Sequence, residues 1–348
     1  MSELGIALIG LRHLHAEGWI HNIAQTPGVR LAAVAEGDAE LLGRCARQHP
    51  GTPTFASAEA ALAEAGVDVA LILLPHDEMP DAAMEAIARG KHLIVEKPCA
   101  VNARALQPVA AAAVERRVKF TTPYLWRYDP AVRRAREIVE QGGIGRPLYC
   151  TGRINAGGPH RYLELSPWML SRRKSGGGAL RNLGVHWIDG FSALLADEPQ
   201  AVTAQLGGLA HDVEVEDHAR ALIEFSAGAQ LLVETCYALP DSYPPQGYDF
   251  AFAIKGSEGY LEWSRRDDTL LWCAGASHCH QERMDRSAAG WQGPGYGGQT
   301  GLDFLALVAD AIGEGRDPEI GATDALRALR AVDAAYESAQ RQAQVRLS

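Results

Sequence analysis

The chain has 348 residues, of which 47% are hydrophobic and 22% charged, with a formal net charge of −10. That length gives about two domains, each able to bury a core, and the composition is that of a globular protein without a long disordered region. The acidic balance excludes a sequence-independent nucleic-acid binder, which needs a basic footprint to displace counterions from phosphate.

Ile6 to Ile9 is an apolar strand running into Gly10-Leu11-Arg12-His13-Leu14-His15 and then a helix to about Gln25. Arg30 to Ala35 is a second strand closing on Glu36. Strand, tight turn, helix, strand and acid in this order make a dinucleotide-binding unit, whose turn should read G-x-G-x-x-G. Gly10 is kept, whereas Arg12 and His15 stand where the second and third glycines belong. Arg12 then faces the phosphates together with the N–H groups of His13 and Leu14, and the early histidines read as a polar helix face. Glu36 is placed to accept hydrogen bonds from a ribose diol and to repel a 2′-phosphate, which favours NAD over NADP.

No basic leader precedes the first strand, and no apolar run approaches the roughly 18 residues of a membrane helix. A cytoplasmic location is expected. The six cysteines carry no paired spacing and are expected to be reduced. Cys273, His278, Cys279 and His280 cluster, but at a spacing that matches no structural zinc pattern, so no metal is assigned.

Leu41 to His49 and Ala58 to Ala65 read as helices. The stretch VDVALILLPHDEMPDAAMEAIARGKHLIVEKP, residues 67–98, is a buried strand (Val69 to Leu74), a break at Pro75, a helix stopped by Gly90, and a strand (His92 to Val95). It ends in Glu96-Lys97-Pro98, an acid and an amine where a parallel strand gives out, which is where open α/β sheets bind ligands. A helix from Ala103 to Arg116, started or kinked by Pro108, and a strand from Val118 to Thr121 complete a parallel, doubly wound sheet over residues 1–122.

From 123 to 348 the pattern changes. Ala131 to Glu140 is helical, Leu148 to Ile154 is a strand, and Asn182 to Leu195 is a helix carrying His186 and Asp189. Strands at Val202 to Leu206, His218 to Phe225, Ala229 to Cys236, Ala251 to Lys255 and Tyr260 to Trp263 follow without intervening helices, which implies a mostly antiparallel sheet. Helices at Leu302 to Glu314 and Ala322 to about Gln342 close the chain, and Ala276 to Thr300 reads as loop. Arg172, Arg173 and Lys174 read as a solvated charge run rather than as a site for an acidic substrate.

Several motifs now stand in one order: the strand-turn-helix at Gly10, AIARGKHLIVEKP at 86–98, WRYDPA at 126–131, SGGGALRNLGVHWID at 175–189, EDHARALIEFSAGA at 216–229 and AYESA at 335–339. In these the chain resembles, over nearly its whole length, the glucose-fructose oxidoreductase and inositol dehydrogenase family, Gfo/Idh/MocA. The resemblance implies a Rossmann domain followed by an α/β domain with a large, open-faced sheet that forms homodimers or homotetramers. It also implies a small-molecule substrate between the domains and hydride transfer between NAD(P) and a secondary alcohol or carbonyl of a sugar or cyclitol. No nucleic acid or membrane partner is expected.

Carried over by position, Lys97 matches the lysine of the EKP motif and His186 the histidine of D-x-G-x-H, with Asn182 in place of the acid. His186 would take the proton of the reacting hydroxyl, Lys97 would stabilise the oxygen, and Asn182 would hold a neighbouring hydroxyl. Without an acid beside it, His186 should be less basic. The expected cofactor contacts are Gly10, Leu11, Arg12, His13, Leu14, Glu36, Leu74, Pro75, His76, Glu96 and Lys97. Tyr124, Trp126, Arg127, Arg153, His160 and Trp168 are expected to line the substrate cleft. Two alternatives share the fold: an enzyme that uses NAD transiently to cleave a glycosidic or related bond without net redox, and a non-catalytic ligand-binding or regulatory member.

Overall fold

The computed structural model describes residues 3–244, 248–275 and 279–347. Six parallel strands form the first sheet: β1 (Leu4–Ile9), β2 (Val29–Ala35), β3 (Thr54–Phe55), β4 (Val69–Ile72), β5 (His92–Val95) and β6 (Phe120–Thr121). Their order is β3-β2-β1-β4-β5-β6. The helices between them are α1 (Ala16–Gln25), α2 (Ala39–Gln48), α3 (Ala58–Leu62), α4 (Met79–Ala88) and α5 (Ala103–Glu115). All four residues of β4 are buried, as expected of a parallel strand covered on both faces. Asp38, Ser57 and Asn102 cap α2, α3 and α5 by accepting from main-chain N–H groups.

Strand order reverses between β1 and β4, so the ends of these two strands open the crevice in which such sheets take ligands. Gly10 makes the turn there at φ +102°, and a Cβ on it would lie 2.7 Å from the Leu73 carbonyl oxygen, so only glycine fits. Pro108 lies inside α5 rather than at its start.

The second sheet has nine strands: β7 (Pro147–Gly157), β8 (Pro199–Gly207), β9 (His218–Phe225), β10 (Gln230–Leu239), β11 (Tyr248–Gly256), β12 (Gly259–Ser264), β13 (Thr269–Ala274), β14 (Cys279–Arg283) and β15 (Val345–Arg346). Their order is β14-β13-β12-β11-β7-β10-β9-β8-β15, antiparallel except where β7 meets β10. The remaining helices are α6 (Pro130–Glu140), α7 (His160–Leu163), α8 (Arg172–Ser175), α9 (Val185–Leu195), α10 (Gln299–Gly313) and α11 (Ala322–Arg341). Gly152 lets α9 lie against the sheet, because a Cβ there would come within 2.7 Å of the Trp187 ring. Alternation is clean on β9, where Ala219, Ala221, Ile223 and Phe225 are buried and their neighbours are not.

The structure corrects three expectations. Strands β13, β14 and β15 were not anticipated, and β14 falls in the stretch read as loop. Cys273 and Cys279, paired across β13 and β14, form a disulfide, while Cys45, Cys99, Cys150 and Cys236 are free thiols; His278 lies outside the described residues. The helix expected from Asn182 is instead a π-helical turn, Leu180–Gly184, leading into α9. Among the described residues, no helix is long and apolar enough to cross a membrane.

Candidate active site

A cleft of about 520 Å³ lies between the end of β5 and the second sheet, and Leu14, His15, Lys97, Trp126, Asn182 and His186 share its lining. Lys97 leaves β5 into this cleft, is almost fully buried, and is joined to Pro98 by a cis peptide bond. Its Nζ donates to the Asn182 side-chain Oδ1 at 2.6 Å and to the Asn182 carbonyl at 3.0 Å. Burial lowers the amine to about 8, with the Glu96 carboxylate opposing the shift.

Asn182 owes its placement to the π-helical turn, a distortion that recurs at functional sites. Its Nδ2 donates to the hydroxyls of Tyr162 at 3.0 Å and Tyr237 at 2.9 Å. Burial raises both phenols, so they stay neutral. The amide is thus occupied by Lys97 and the two tyrosines.

His186 projects from α9 with Tyr124 edge-on to its ring at 6.1 Å. Its Nδ1 is buried without a partner, and burial, Lys97 and His15 all push its pKa down. Among the described residues, no carboxylate pairs with it to stabilise an imidazolium.

The early histidines do not form a polar helix face. His13 is wholly buried, and His15 Nδ1 lies 3.2 Å from Glu96 Oε1. Trp19 Nε1 donates to the other Glu96 oxygen at 3.1 Å, and Tyr296 stacks on the His15 ring at 3.6 Å. His13, His15 and Glu96 bring three possible metal donors within 4.8 Å of one another. However, the His15 N–H donates to His13 Nδ1 at 3.1 Å, which leaves the His13 hydrogen on Nε2. With His15 Nδ1 turned to Glu96, one nitrogen of each ring is engaged in a hydrogen bond within the protein.

At the crevice, Glu36 is buried and accepts from the Leu11 N–H at 2.7 Å and the Asp38 N–H at 2.9 Å. Arg12 Nε sits 3.4 Å from the same carboxylate, which pairs the guanidinium with Glu36 at the mouth of the crevice. Leu74, Pro75 and His76 form the turn after β4. His76 Nδ1 donates to the Ser175 carbonyl at 2.7 Å, and burial lowers the ring's pKa to about 3.

Of the residues expected in the substrate cleft, Trp126 lines it, packed 4.3 Å from Phe250, and Tyr124 is buried behind His186. The other four are elsewhere. Arg127 is tied to Asp189 and Asp324 by ion pairs of 2.5 and 2.8 Å; burial opposes its charge, but the two carboxylates prevail and raise its pKa. Arg153 pairs with Asp249 on the sheet face away from the cleft, one residue out of phase with the cleft-lining Ile154. His160 is exposed and bonded to Asp241. Trp168 belongs to the crevice: its Nε1 donates to the Arg12 carbonyl at 2.8 Å beside the Ser166 hydroxyl at 3.0 Å, and its ring stands edge-on to His76 at 4.9 Å.

The residues sequence reading missed are Tyr162, Tyr237, Tyr248, Phe250 and Tyr296. Tyr237 was findable, since it continues the inward phase of Leu231, Val233 and Thr235 on β10. Tyr296, in a glycine-rich loop, carried no periodic signal.

The crevice suits a dinucleotide. Gly10 keeps the turn tight, no side chain caps the N terminus of α1, and His13 Nε2 and His76 Nε2 are buried polar atoms without protein partners.

Residues 4–124 match the oxidoreductase family with an NAD-binding Rossmann fold, and residues 132–262 match the GFO/IDH/MocA C-terminal domain. Levoglucosan dehydrogenase of Pseudarthrobacter phenanthrenivorans is 26% identical over 85% of this chain and 80% of its own length. The NAD⁺-dependent scyllo-inositol 2-dehydrogenase of Bacillus subtilis is 25% identical over 74% of this chain and 73% of its own. In structure, levoglucosan dehydrogenase in complex with NADH and levoglucosan superposes with a TM-score of 0.86 at 23% identity, over 99% of this chain and 100% of that one, which shows a shared fold. Both sheets and both matches lead to one conclusion: the chain belongs to the Gfo/Idh/MocA family of oxidoreductases with an NAD-binding Rossmann fold.

Proposed function

We propose that the chain is an NAD-dependent dehydrogenase moving a hydride between nicotinamide and a secondary alcohol or carbonyl of a sugar, inositol or related polyol. One observation carries this reading. A buried amine at the end of β5, lowered to about 8, shares a cleft with His186 and opens beside the dinucleotide crevice. The bound nicotinamide supplies the hydride acceptor. Lys97 hydrogen-bonds the reacting oxygen and stabilises its developing negative charge, and an imidazole of the cleft exchanges the proton. Asn182, Tyr162 and Tyr237 hold the amine in place.

The substrate class rests on the lining. Trp126, Tyr248, Phe250 and Tyr296 offer apolar faces among polar groups, which suits a hydroxylated ring. Relatives named for levoglucosan, 1,5-anhydro-D-fructose and inositol all act on such rings. Residues 1–122 serve as the cofactor-binding domain and 123–348 as the substrate-binding and oligomerisation domain of a cytoplasmic homodimer or homotetramer. The partly exposed sheet face carrying Thr151, Arg153 and Glu234 is the surface for that assembly. Glu36 favours NAD over NADP through its charge at the end of β2.

Titrating the protein with NADH by fluorescence, then following NADH formation from NAD⁺ with levoglucosan, inositols and anhydro sugars, tests this. Binding and turnover are expected. Product without NADH accumulation selects the non-redox alternative, and failure to bind NADH selects the non-catalytic one.

A further inference from the structure

Two imidazoles face the cleft beside Lys97, and one of them has a carboxylate behind it. His15 Nδ1 lies 3.2 Å from Glu96 Oε1. A carboxylate only accepts, so Nδ1 carries the hydrogen and Nε2 the lone pair. Among the described residues Nε2 makes no hydrogen bond, and the side chain is 22% exposed, into the cleft it helps to line. Glu96 is itself fixed by the Trp19 indole N–H at 3.1 Å, and Tyr296 stacks on the imidazole at 3.6 Å. This is the arrangement of a base oriented by a buried acid. His186 has no such support: the position that could have supplied its acid is Asn182, whose amide is occupied by Lys97, Tyr162 and Tyr237.

Resting on the dehydrogenase reading above, we propose that His15, held by Glu96, accepts the proton of the reacting hydroxyl. As the alcohol is oxidised, the hydrogen of the C–H bond would leave with the bond's electron pair, as hydride, for a bound nicotinamide. The O–H bond breaks, its proton goes to His15 Nε2, and the carbon–oxygen double bond forms. Glu96 offsets the imidazolium, Lys97 offsets the transient charge on oxygen, and the proton leaves through the open side of the ring. His186 orients the hydroxyl without taking its proton. The groups facing His15 are Glu96 and Lys97 from the end of β5, His13 from its own turn at 4.5 Å between ring centres, His186 from α9, and Tyr296. Burial and Lys97 keep the resting ring neutral, as an acceptor must be.

Position 15 is that of the third fingerprint glycine, and this makes a decisive variant available. His15→Gly restores the third glycine and leaves Arg12 in place of the second, so folding and NADH binding serve as its controls. The expected result is unchanged NADH affinity by fluorescence and a fall in turnover of about 10²–10⁴-fold. The acid limb of the kcat/KM pH profile disappears, and added imidazole restores part of the rate. Glu96→Gln moves that limb to lower pH, because the imidazolium loses its counter-charge. His186→Ala keeps the limb. Full turnover with the limb intact in His15→Gly, or loss of the limb in His186→Ala alone, overturns the proposal while leaving the dehydrogenase reading standing. A parent that fails to bind NADH overturns both.

Discussion

Lys97 donates to Asn182 through two contacts, 2.6 Å to the side-chain oxygen and 3.0 Å to the carbonyl, so the amine at the end of β5 is held by a neutral amide. A carboxylate in the same place would hold the ammonium charged to higher pH. In the parent, kcat/KM for alcohol oxidation is expected to fall as pH rises through about 8, where the amine loses its proton. Asn182→Asp should move this alkaline limb upward by about 1–3 pH units. Parallel pH profiles of the two proteins check it, and an unmoved limb removes Lys97 from the role.

The same amine affects stability. An unfolded lysine titrates near about 10.4, so the folded state binds fewer protons between about 8 and that value. Burying the charge therefore costs stability below pH 8, and the cost is relieved as pH rises towards 10.4. Across that window the parent should gain about 3 kcal/mol relative to Lys97→Met. Urea unfolding at pH 7 and pH 10 measures the difference, and a difference that ignores pH refutes it.

Arg127, expected in the substrate cleft, is assigned to the core by its ion pairs with Asp189 and Asp324. Burial raises Asp189 to about 6 even beside the guanidinium, so its charge depends on that partner. Arg127→Met should cost about 3–5 kcal/mol in chemical unfolding while leaving the polyol KM unchanged. A raised KM at unchanged stability would return Arg127 to the substrate.

Trp168 joins the second half of the chain to the dinucleotide turn through the Arg12 carbonyl. Trp168→Phe keeps the ring and removes the N–H, a loss of about 1 kcal/mol. NADH affinity should weaken about fivefold with the polyol KM unaffected. The opposite split would place Trp168 at the substrate.

The parallel sheet was legible because β1, β4 and β5 are short apolar runs bounded by Gly10, Pro75 and Gly90. Lys97 could be found for the same reason, at the end of such a run, whereas His186 was found through its match to the D-x-G-x-H motif of the family. Arg127, Arg153 and His160 could not be placed: a side chain's direction depends on strand phase and on distant partners. Arg153 shows this, since Ile154 beside it faces the cleft and Arg153 faces away. His15 was read as a missing glycine because its meaning lies in Glu96, 81 residues further along the chain.

The Arg12 carbonyl accepts from Ser166 and Trp168, so the floor of the nucleotide groove is latched by a segment that leads into the turn bearing Asn182. Prising the groove open would therefore disturb the cleft wall that Asn182 helps to line. A nucleotide entering ahead of the sugar sets that wall before it is needed, and one departing ahead of the product would have to dismantle it. Compulsory order, nucleotide in first and out last, is the kinetic behaviour expected of such a latch, and product-inhibition patterns check it.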